Sequence, residues 1–297
     1  MNAGLSPPTL AALRAAGLEP DHVADLVTRA LDEDLDGGVD VTSVAAVPFD
    51  EEGTADFVSR AAGVVAGLPV VRAVLDIVSD DAVDCVQHVD DGDRVGPGAM
   101  LLTASAQTRA LLTAERTALN VLCHLSGVAT VTRQWVDAVA GTSAVIRDTR
   151  KTTPGLRQLE KYAVRCGGGM NHRMSLADAA LIKDNHVLAA HGVSAAFDAV
   201  RTTFPDIPVE VECDTLDQVA EAVEAGADLI LLDNMSTDDM VKAVEIAAGR
   251  ARLEASGGLS LDGARVIAET GVDYLAVGAL THSATILDIG VDLRRGT

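Results

Sequence analysis

The stretch PVEVECDTLDQVAEAVEAGADLILLDN, residues 208–234, reads as one strand–helix–strand unit. Its ends, Pro208–Cys213 and Leu229–Asn234, are short runs rich in Val, Ile and Leu, as strands buried on both faces should be. Between them Thr215–Ala225 has helical apolar spacing and opens on Thr215, a preferred N-cap. The same alternation extends outward. Further strand-like runs lie at Ala144–Thr149, Ala179–Lys183, Arg252–Ser256 and Tyr274–Ala279, and further helices at Ser194–Thr203, Ser236–Ala248 and Ser260–Thr270. Six βα units in series imply a parallel sheet closed, or nearly closed, into a barrel, and six rather than eight suggests an incomplete one. An open doubly wound sheet is the structural alternative.

In such barrels the working residues sit where strands end and βα loops begin. Here those positions hold Thr149-Arg150-Lys151, Lys183, Glu212, Asp233, Ser256-Gly257-Gly258 and Gly278. A barrel serving only as scaffold has no need of lysines, two acids and glycine turns there. Glycines at the last two strand ends let backbone N–H groups approach an oxyanion, a common phosphate-monoester arrangement in late barrel loops.

Charge is unevenly spread. The 297-residue chain has a formal net charge of −21, which argues against nucleic acid or an anionic membrane surface as a general partner. Between Arg147 and Lys183, however, stand eight basic residues and only three acidic ones, and three of the four lysines (Lys151, Lys161, Lys183, Lys242) lie in this stretch. Arg157, Lys161 and Arg165 read as the solvated face of a helix over residues 155–165. Arg150, Lys151, Arg173 and Lys183 fall at strand ends or in loops, and converge on an anion in this reading. Arg suits bidentate carboxylate capture, and Lys serves as a compact charge for phosphate. His172 and Arg173 follow the glycine run 167–169, which suits a loop bringing donors over a ligand. Glu212 and Asp233, among these cations, could bind Mg²⁺, contact sugar hydroxyls, or stabilise positive charge at an anomeric carbon.

The first half is shorter-ranged and turn-rich. A helix is expected over Pro20–Leu31 and strands near Thr54–Arg60, Val83–Val89 and Met100–Ala104, with DDGDRVGPG (90–98) as a hairpin-forming segment. Lipoyl- and biotin-carrier domains share such a hairpin but need an attachment lysine, and no lysine precedes Lys151. A long helix follows from Gln107 to Ala140, with Ser126-Gly127 as the place where it would break. Its apolar residues run nearly all round, so it is buried or packed on a second subunit. Arg116 on that helix then needs a partner, and Glu115 is the nearest candidate. Aromatics make up only 2% of residues, leaving Ala, Val, Leu and Ile to form the core. The N-terminus lacks a signal-peptide pattern and no apolar run reaches about 18 residues, so a cytoplasmic protein without a membrane span is expected. Cys85, Cys123, Cys166 and Cys213 are scattered, as free thiols of a reducing compartment would be.

Several segments together resemble the quinolinate phosphoribosyltransferase family: TAERTALN (113–120), HLSGVAT (124–130), IRDTRKTTPGLR (146–157), KYAVRCGGGMNHR (161–173), DAALIKDNH (178–186), ILLDN (230–234), SGGLS (256–260) and GVDYLAVGALTHS (271–283). GVDVTS (38–43) and AGVVAGL (62–68) extend the likeness into the first half. The resemblance implies an N-terminal α/β sandwich domain over residues 1–117, joined by the C-terminal segment 284–297. It implies an open α/β barrel over 118–283 with the active site at its C-terminal strand ends. It further implies phosphoribosyl transfer from phosphoribosyl pyrophosphate to quinolinate with decarboxylation, giving nicotinate mononucleotide, pyrophosphate and CO₂ in NAD biosynthesis.

On that model the protein is a homodimer or a hexamer built as a trimer of dimers, and Arg116 reaches across into the neighbour's site. Thr149 borders the substrate, while Arg150, His172, Arg173 and Lys183 hold the two quinolinate carboxylates. Lys151 meets the pyrophosphate, and Glu212 and Asp233 contact ribose and Mg²⁺. Ser256, Gly257 and Gly258, with Val277, Gly278, Ala279 and His282, take the 5-phosphate. Lys151, Lys183, Glu212 and Asp233 are the residues expected nearest the chemistry. Mg²⁺ is expected to arrive with phosphoribosyl pyrophosphate rather than in an all-protein site, and no organic cofactor is expected. Competing readings are a family member acting on another pyridine acid, the related protein of molybdate-transport operons, an aldolase with Lys183 as Schiff-base lysine, and a non-catalytic phosphosugar-binding barrel.

Overall fold

A computed structural model describes residues 4–80 and 83–295. In chain order, the first half holds α1 (Pro7–Ala15), α2 (Pro20–Leu35), α3 (Val41–Ala46), β1 (Glu52–Ser59), β2 (Gly63–Val64), α4 (Leu68–Val78), β3 (Asp84–Gln87), β4 (Arg94–Val95), β5 (Met100–Gln107) and α5 (Thr108–Ala138). Next come β6 (Val145–Arg147), α6 (Arg157–Cys166), β7 (Ala180–Ile182), α7 (Asp184–Ala190), α8 (Val193–Thr203), β8 (Val209–Cys213), α9 (Leu216–Glu224) and β9 (Leu229–Asp233). The chain ends with α10 (Thr237–Ala247), β10 (Arg252–Ser256), α11 (Ala264–Ala268), β11 (Tyr274–Ala276), α12 (Ala279–His282) and β12 (Ile289–Arg295). Two units contain these elements: the first spans residues up to Val131, Thr153–Gly168 and the stretch from Ser283 onward, and the second spans Thr132–Thr152 and Gly169–His282.

The first unit is built on an antiparallel sheet of order β12-β1-β5-β3. The C-terminal strand β12 pairs with β1 from Ser59↔Ile289 to Gly53↔Arg295, so it completes a sheet begun near residue 52. Strands β3 and β5 pair antiparallel, and within their connection Arg94–Val95 pairs with β2. Asp91, in that connection, accepts from the Gly67 and Leu68 amides at the start of α4 and from the Tyr162 hydroxyl (2.6 Å). Helix α4 lies outside the elements expected from the sequence: Leu68, Val70, Val71, Ala73, Val74 and Leu75 are buried, and Arg72 and Asp76, four residues apart, mark its polar side.

Two expectations in this unit are corrected. The long helix runs unbroken through Ser126-Gly127. Gly127 is a close-approach residue, since a Cβ there would overlap the Thr285 carbonyl oxygen, and Ser126 and Thr130 accept from the Ala66 and Val64 amides. Helix α6 is not a solvated basic helix either: Leu159 through Val164 are buried, Lys161 and Glu160 completely so. Glu160 takes a hydrogen bond from His124 Nε2 (2.9 Å) and another from the Thr153 amide (3.0 Å). Only Arg165 of the three cations is exposed, its guanidinium bonded to the Ala16 carbonyl and 5.4 Å from the Tyr162 ring centroid. Arg116 is exposed on α5 and makes no salt bridge to Glu115.

The second unit is a six-stranded parallel sheet of order β6-β11-β10-β9-β8-β7. A doubly wound sheet reverses direction at a switch point, whereas this order advances strand by strand and returns the first strand beside the last. That is barrel winding, left open between β6 and β7. Helices lie between successive strands, and two start at the expected caps: Thr215 accepts from the Gln218 amide, and Ser236 from the Asp239 amide, whereas α8 and α11 start after Gly192 and Gly263 rather than at Ser194 and Ser260. Val211, Ile230, Leu232, Leu253, Ala255 and Leu275 are buried, which is why the strands read as nearly continuous apolar runs. Among the described residues, no helix is long and apolar enough to cross a membrane.

Candidate active site at the barrel mouth

The parallel register brings the C-terminal ends of the barrel strands together around a cavity of about 570 Å³. Thr149, Arg150 and Lys151 follow β6 along its wall, Lys183 follows β7, and Glu212 and Asp233 come from β8 and β9. Ser256, Gly257 and Gly258 follow β10, and His172 and Arg173 enter from the segment after the glycine run. These are residues the sequence singled out one by one, and they line one space.

Their electrostatics are those of an anion site with two acids in it. Arg173 donates to the Ala179 carbonyl (2.9 Å), and its pKa is lowered first by burial and then by the neighbouring Arg150 cation. Two guanidinium groups that oppose each other in this way gain from a dianion between them. Lys183 Nζ meets Glu212 Oε2 at 2.6 Å, with about half of the lysine side chain exposed and the glutamate largely covered. Asp233 Oδ2 accepts from the Asn234 side-chain amide (2.7 Å). The Asn234 backbone is left-handed (φ 54°) and its amide donates to the Ser256 carbonyl, so the β9 and β10 ends are tied together. Gly257, at φ 91°, lies against Asn234 so closely that a Cβ would overlap its side chain.

Val277, Gly278, Ala279 and His282 do not line this cavity. Gly278 and His282 meet it through Lys151: a Cβ on Gly278 would lie 2.9 Å from Lys151 Cδ and 3.2 Å from His282 Nε2, and Thr281 donates to the Lys151 carbonyl (2.8 Å). Val277 is buried, and its amide bonds the Arg147 carbonyl. Arg116 belongs to the first unit. A second cavity of about 590 Å³ shares Arg150, Arg173 and Lys183 with the first, and its remaining lining includes Ala189, Ala196, Ala199 and Val200.

Sequence reading missed the layer beneath the mouth. Side chains repeat every two residues along a strand, so Arg147, Glu210 and Glu254 share the faces of Thr149, Glu212 and Ser256, one step down. Arg147 reaches Glu254 Oε2 at 2.5 Å and stacks 4.5 Å from the Tyr274 ring centroid. The Nε2–H of His172 donates to Glu210 Oε2 (2.5 Å) and lies 3.6 Å from Glu254 Oε1. Burial and then the Glu210 carboxylate push Glu254 up to about 7, against the pull of Arg147. The signal that could have found this layer was the i−2 spacing of Glu210 from Glu212.

Glu212 and Asp233 offer hard oxygen donors of the kind Mg²⁺ takes. Glu212 is already committed to Lys183, so these side chains fit an ion that brings most of its ligands with it. His172, Glu210 and Glu254 form the one group of three donors among the described residues within 4.8 Å of one another. His172 Nε2 bonds Glu210 Oε2 and Arg147 bonds Glu254 Oε2, while the second oxygen of each glutamate has no hydrogen-bond partner among the described residues.

Residues 40–126 match the model of the quinolinate phosphoribosyl transferase N-terminal domain, and residues 128–292 match that of its C-terminal domain. A nicotinate-nucleotide pyrophosphorylase (carboxylating) of Mycobacterium leprae is 54% identical over 279 residues, which is 93% of this chain and 98% of the relative. A probable nicotinate-nucleotide pyrophosphorylase (carboxylating) of Bacillus subtilis is 40% identical over 80% of this chain and 83% of its own length. The crystal structure of NadC from Streptococcus pyogenes superposes with a TM-score of 0.90 at 39% identity, covering 94% of this chain and 99% of that one. By both of its domains, the chain belongs to the quinolinate phosphoribosyltransferase family.

Proposed function

We propose that this chain transfers the phosphoribosyl group of phosphoribosyl pyrophosphate to quinolinate and decarboxylates the adduct, yielding nicotinate mononucleotide, pyrophosphate and CO₂ for NAD biosynthesis. The observation that carries the reading is the meeting of Arg150, Arg173, Lys183 and His172 on the wall of one cavity that also holds Lys151, Glu212 and Asp233. The substrates together present two carboxylates, a pyrophosphate, a phosphate and a carbon that becomes cationic; the cavity offers cations for the carboxylates and pyrophosphate, a Ser-Gly-Gly turn for the phosphate and two acids for the carbon.

Arg150, Arg173, Lys183 and His172 bind the two carboxylates and point the ring nitrogen at the ribose. Lys151 meets the pyrophosphate, and Ser256–Gly258, with the Val277–Ala279 turn and His282, receives the 5-phosphate. The nitrogen lone pair forms the bond to the anomeric carbon while the bond to pyrophosphate oxygen breaks. Glu212 and Asp233 favour the oxocarbenium-like charge that develops there. The pyridinium so formed accepts the electron pair left by departing CO₂, and the ring carbon then takes a proton. Glu212 and Asp233 would help hold Mg²⁺, which would supply charge neutralisation for the departing pyrophosphate. Positioning and electrostatics supply the rate, with no covalent intermediate on the protein.

The exposed Arg116 supports an assembly, dimer or hexamer, in which it serves a neighbour's site. Four cysteines without a disulfide fit a cytoplasmic protein. A Schiff-base lysine needs a desolvated amine, and pairing of Lys183 with Glu212 disfavours the aldolase reading. The test is turnover of quinolinate with phosphoribosyl pyrophosphate and Mg²⁺, followed by product absorbance. Lys151→Ala and Arg173→Ala are each expected to lower kcat/KM by about 10²-fold or more. Wild-type activity without either substrate dependence would refute the assignment.

A further inference from the structure

Two buried carboxylates converge on His172 from different strands. Asp148, completely buried after β6, accepts from the His172 amide (2.8 Å) through Oδ1 and from the Asn171 side chain (2.6 Å) through Oδ2. Glu210, buried in β8, accepts from the ring at Nε2 (2.5 Å). The segment carrying His172 is also laid along β6, since the Met170 amide donates to the Ile146 carbonyl and the Asp148 amide to the Met170 carbonyl. One acid thus fixes the main chain of this residue and another fixes its imidazole. Glu254, held by Arg147, stands behind the same nitrogen.

A carboxylate in that layer is costly. Apolar side chains of similar volume would pack there at no loss, and often at a gain, of stability. Glu210 does not line the cavity, and among the side chains that do, His172 is the one it hydrogen-bonds. We propose that Glu210 is a positioning residue for the reaction set out above: it turns the His172 ring into the orientation that receives a ligand carboxylate, and thereby sets affinity for the pyridine acid. The inference rests on that reading of the function and goes beyond it, because it assigns a role to a side chain outside the binding surface.

The experiment is steady-state kinetics on Glu210→Met and Glu210→Gln, with His172→Ala as reference. Met keeps the shape and loses the acceptor, so KM for quinolinate should rise about tenfold, with kcat and KM for phosphoribosyl pyrophosphate within about twofold. Gln keeps an acceptor oxygen and should restore most of the loss. Should the Met protein fail to fold, Glu210→Asp, one methylene short of the imidazole, should give the same rise in quinolinate KM. A folded Met or Asp protein with unmoved quinolinate KM overturns the proposal. So do equal changes in both KM values and kcat, or a Gln variant no better than Met. Wild-type turnover is scored separately: its absence sinks the assigned reaction, whereas normal wild-type turnover with an unaffected Glu210 variant sinks the positioning role alone.

Discussion

At the barrel mouth Lys183 leaves about half of its side chain in solvent, while one step down β8 and β10 Glu210 and Glu254 are buried, Glu254 still lining the cavity. Both layers are charged, yet they behave differently. Mouth charges are screened and held loosely, so a ligand can recruit them, as Lys183 could be drawn from Glu212. Charges in the lower layer sit where each must be matched by a partner in place, and Arg147, Glu254, His172 and Glu210 supply one another. The reactive surface of this barrel is thus carried by a second polar tier, where most barrels of this kind place branched aliphatic side chains.

The largest effect that separates the tiers should come from Arg147→Met. It strands Glu254 without its cation in a buried layer, and thermal or urea unfolding should show a loss of roughly 3–5 kcal/mol. A change below about 1 kcal/mol would mean the lower layer is not closed off as described. The pH dependence of stability should distinguish the tiers next. Because the folded state raises Glu254 from 4.5 to about 7, it binds that proton more tightly than the unfolded chain does. Its contribution is therefore fully present below pH 4.5 and is lost as pH rises through 7. Glu254→Gln should flatten the stability profile across this window, and an unchanged slope would contradict the assignment. The smallest effect should come from a pair resembling neither tier: Arg250 and Glu224 form a 2.8 Å bridge with most of both side chains in solvent. Arg250→Ala should cost no more than about 0.5 kcal/mol and should lose even that in high salt.

Much of this was legible in the sequence, because barrel strands buried on both faces announce themselves as Val, Ile and Leu runs and their caps as Thr215 and Ser236. Residues at strand ends were legible for the same reason, since a charge terminating an apolar run stands out. Legibility failed where a charge lies inside the run. Glu210 and Glu254 look like interruptions of a strand, and Lys161 like the polar face of a helix. Their burial is decided by partners far away in the chain, Glu210 by His172 and Glu254 by Arg147. Helix α4 went unread although Arg72 and Asp76 stand four residues apart among its Leu, Val and Ala side chains, a spacing that could have found it. Gly127 signalled a break, but the glycine answers to the close passage of Thr285 and not to any bend.

Cations at the mouth arranged for two carboxylates should tell quinolinate from nicotinate when the two are offered side by side with phosphoribosyl pyrophosphate and Mg²⁺. An arrangement built to pair both carboxylates leaves a cation unmatched when one is missing, so quinolinate should be favoured in kcat/KM by about 10²-fold or more. Equal use of the two acids, or a preference for nicotinate, would contradict it.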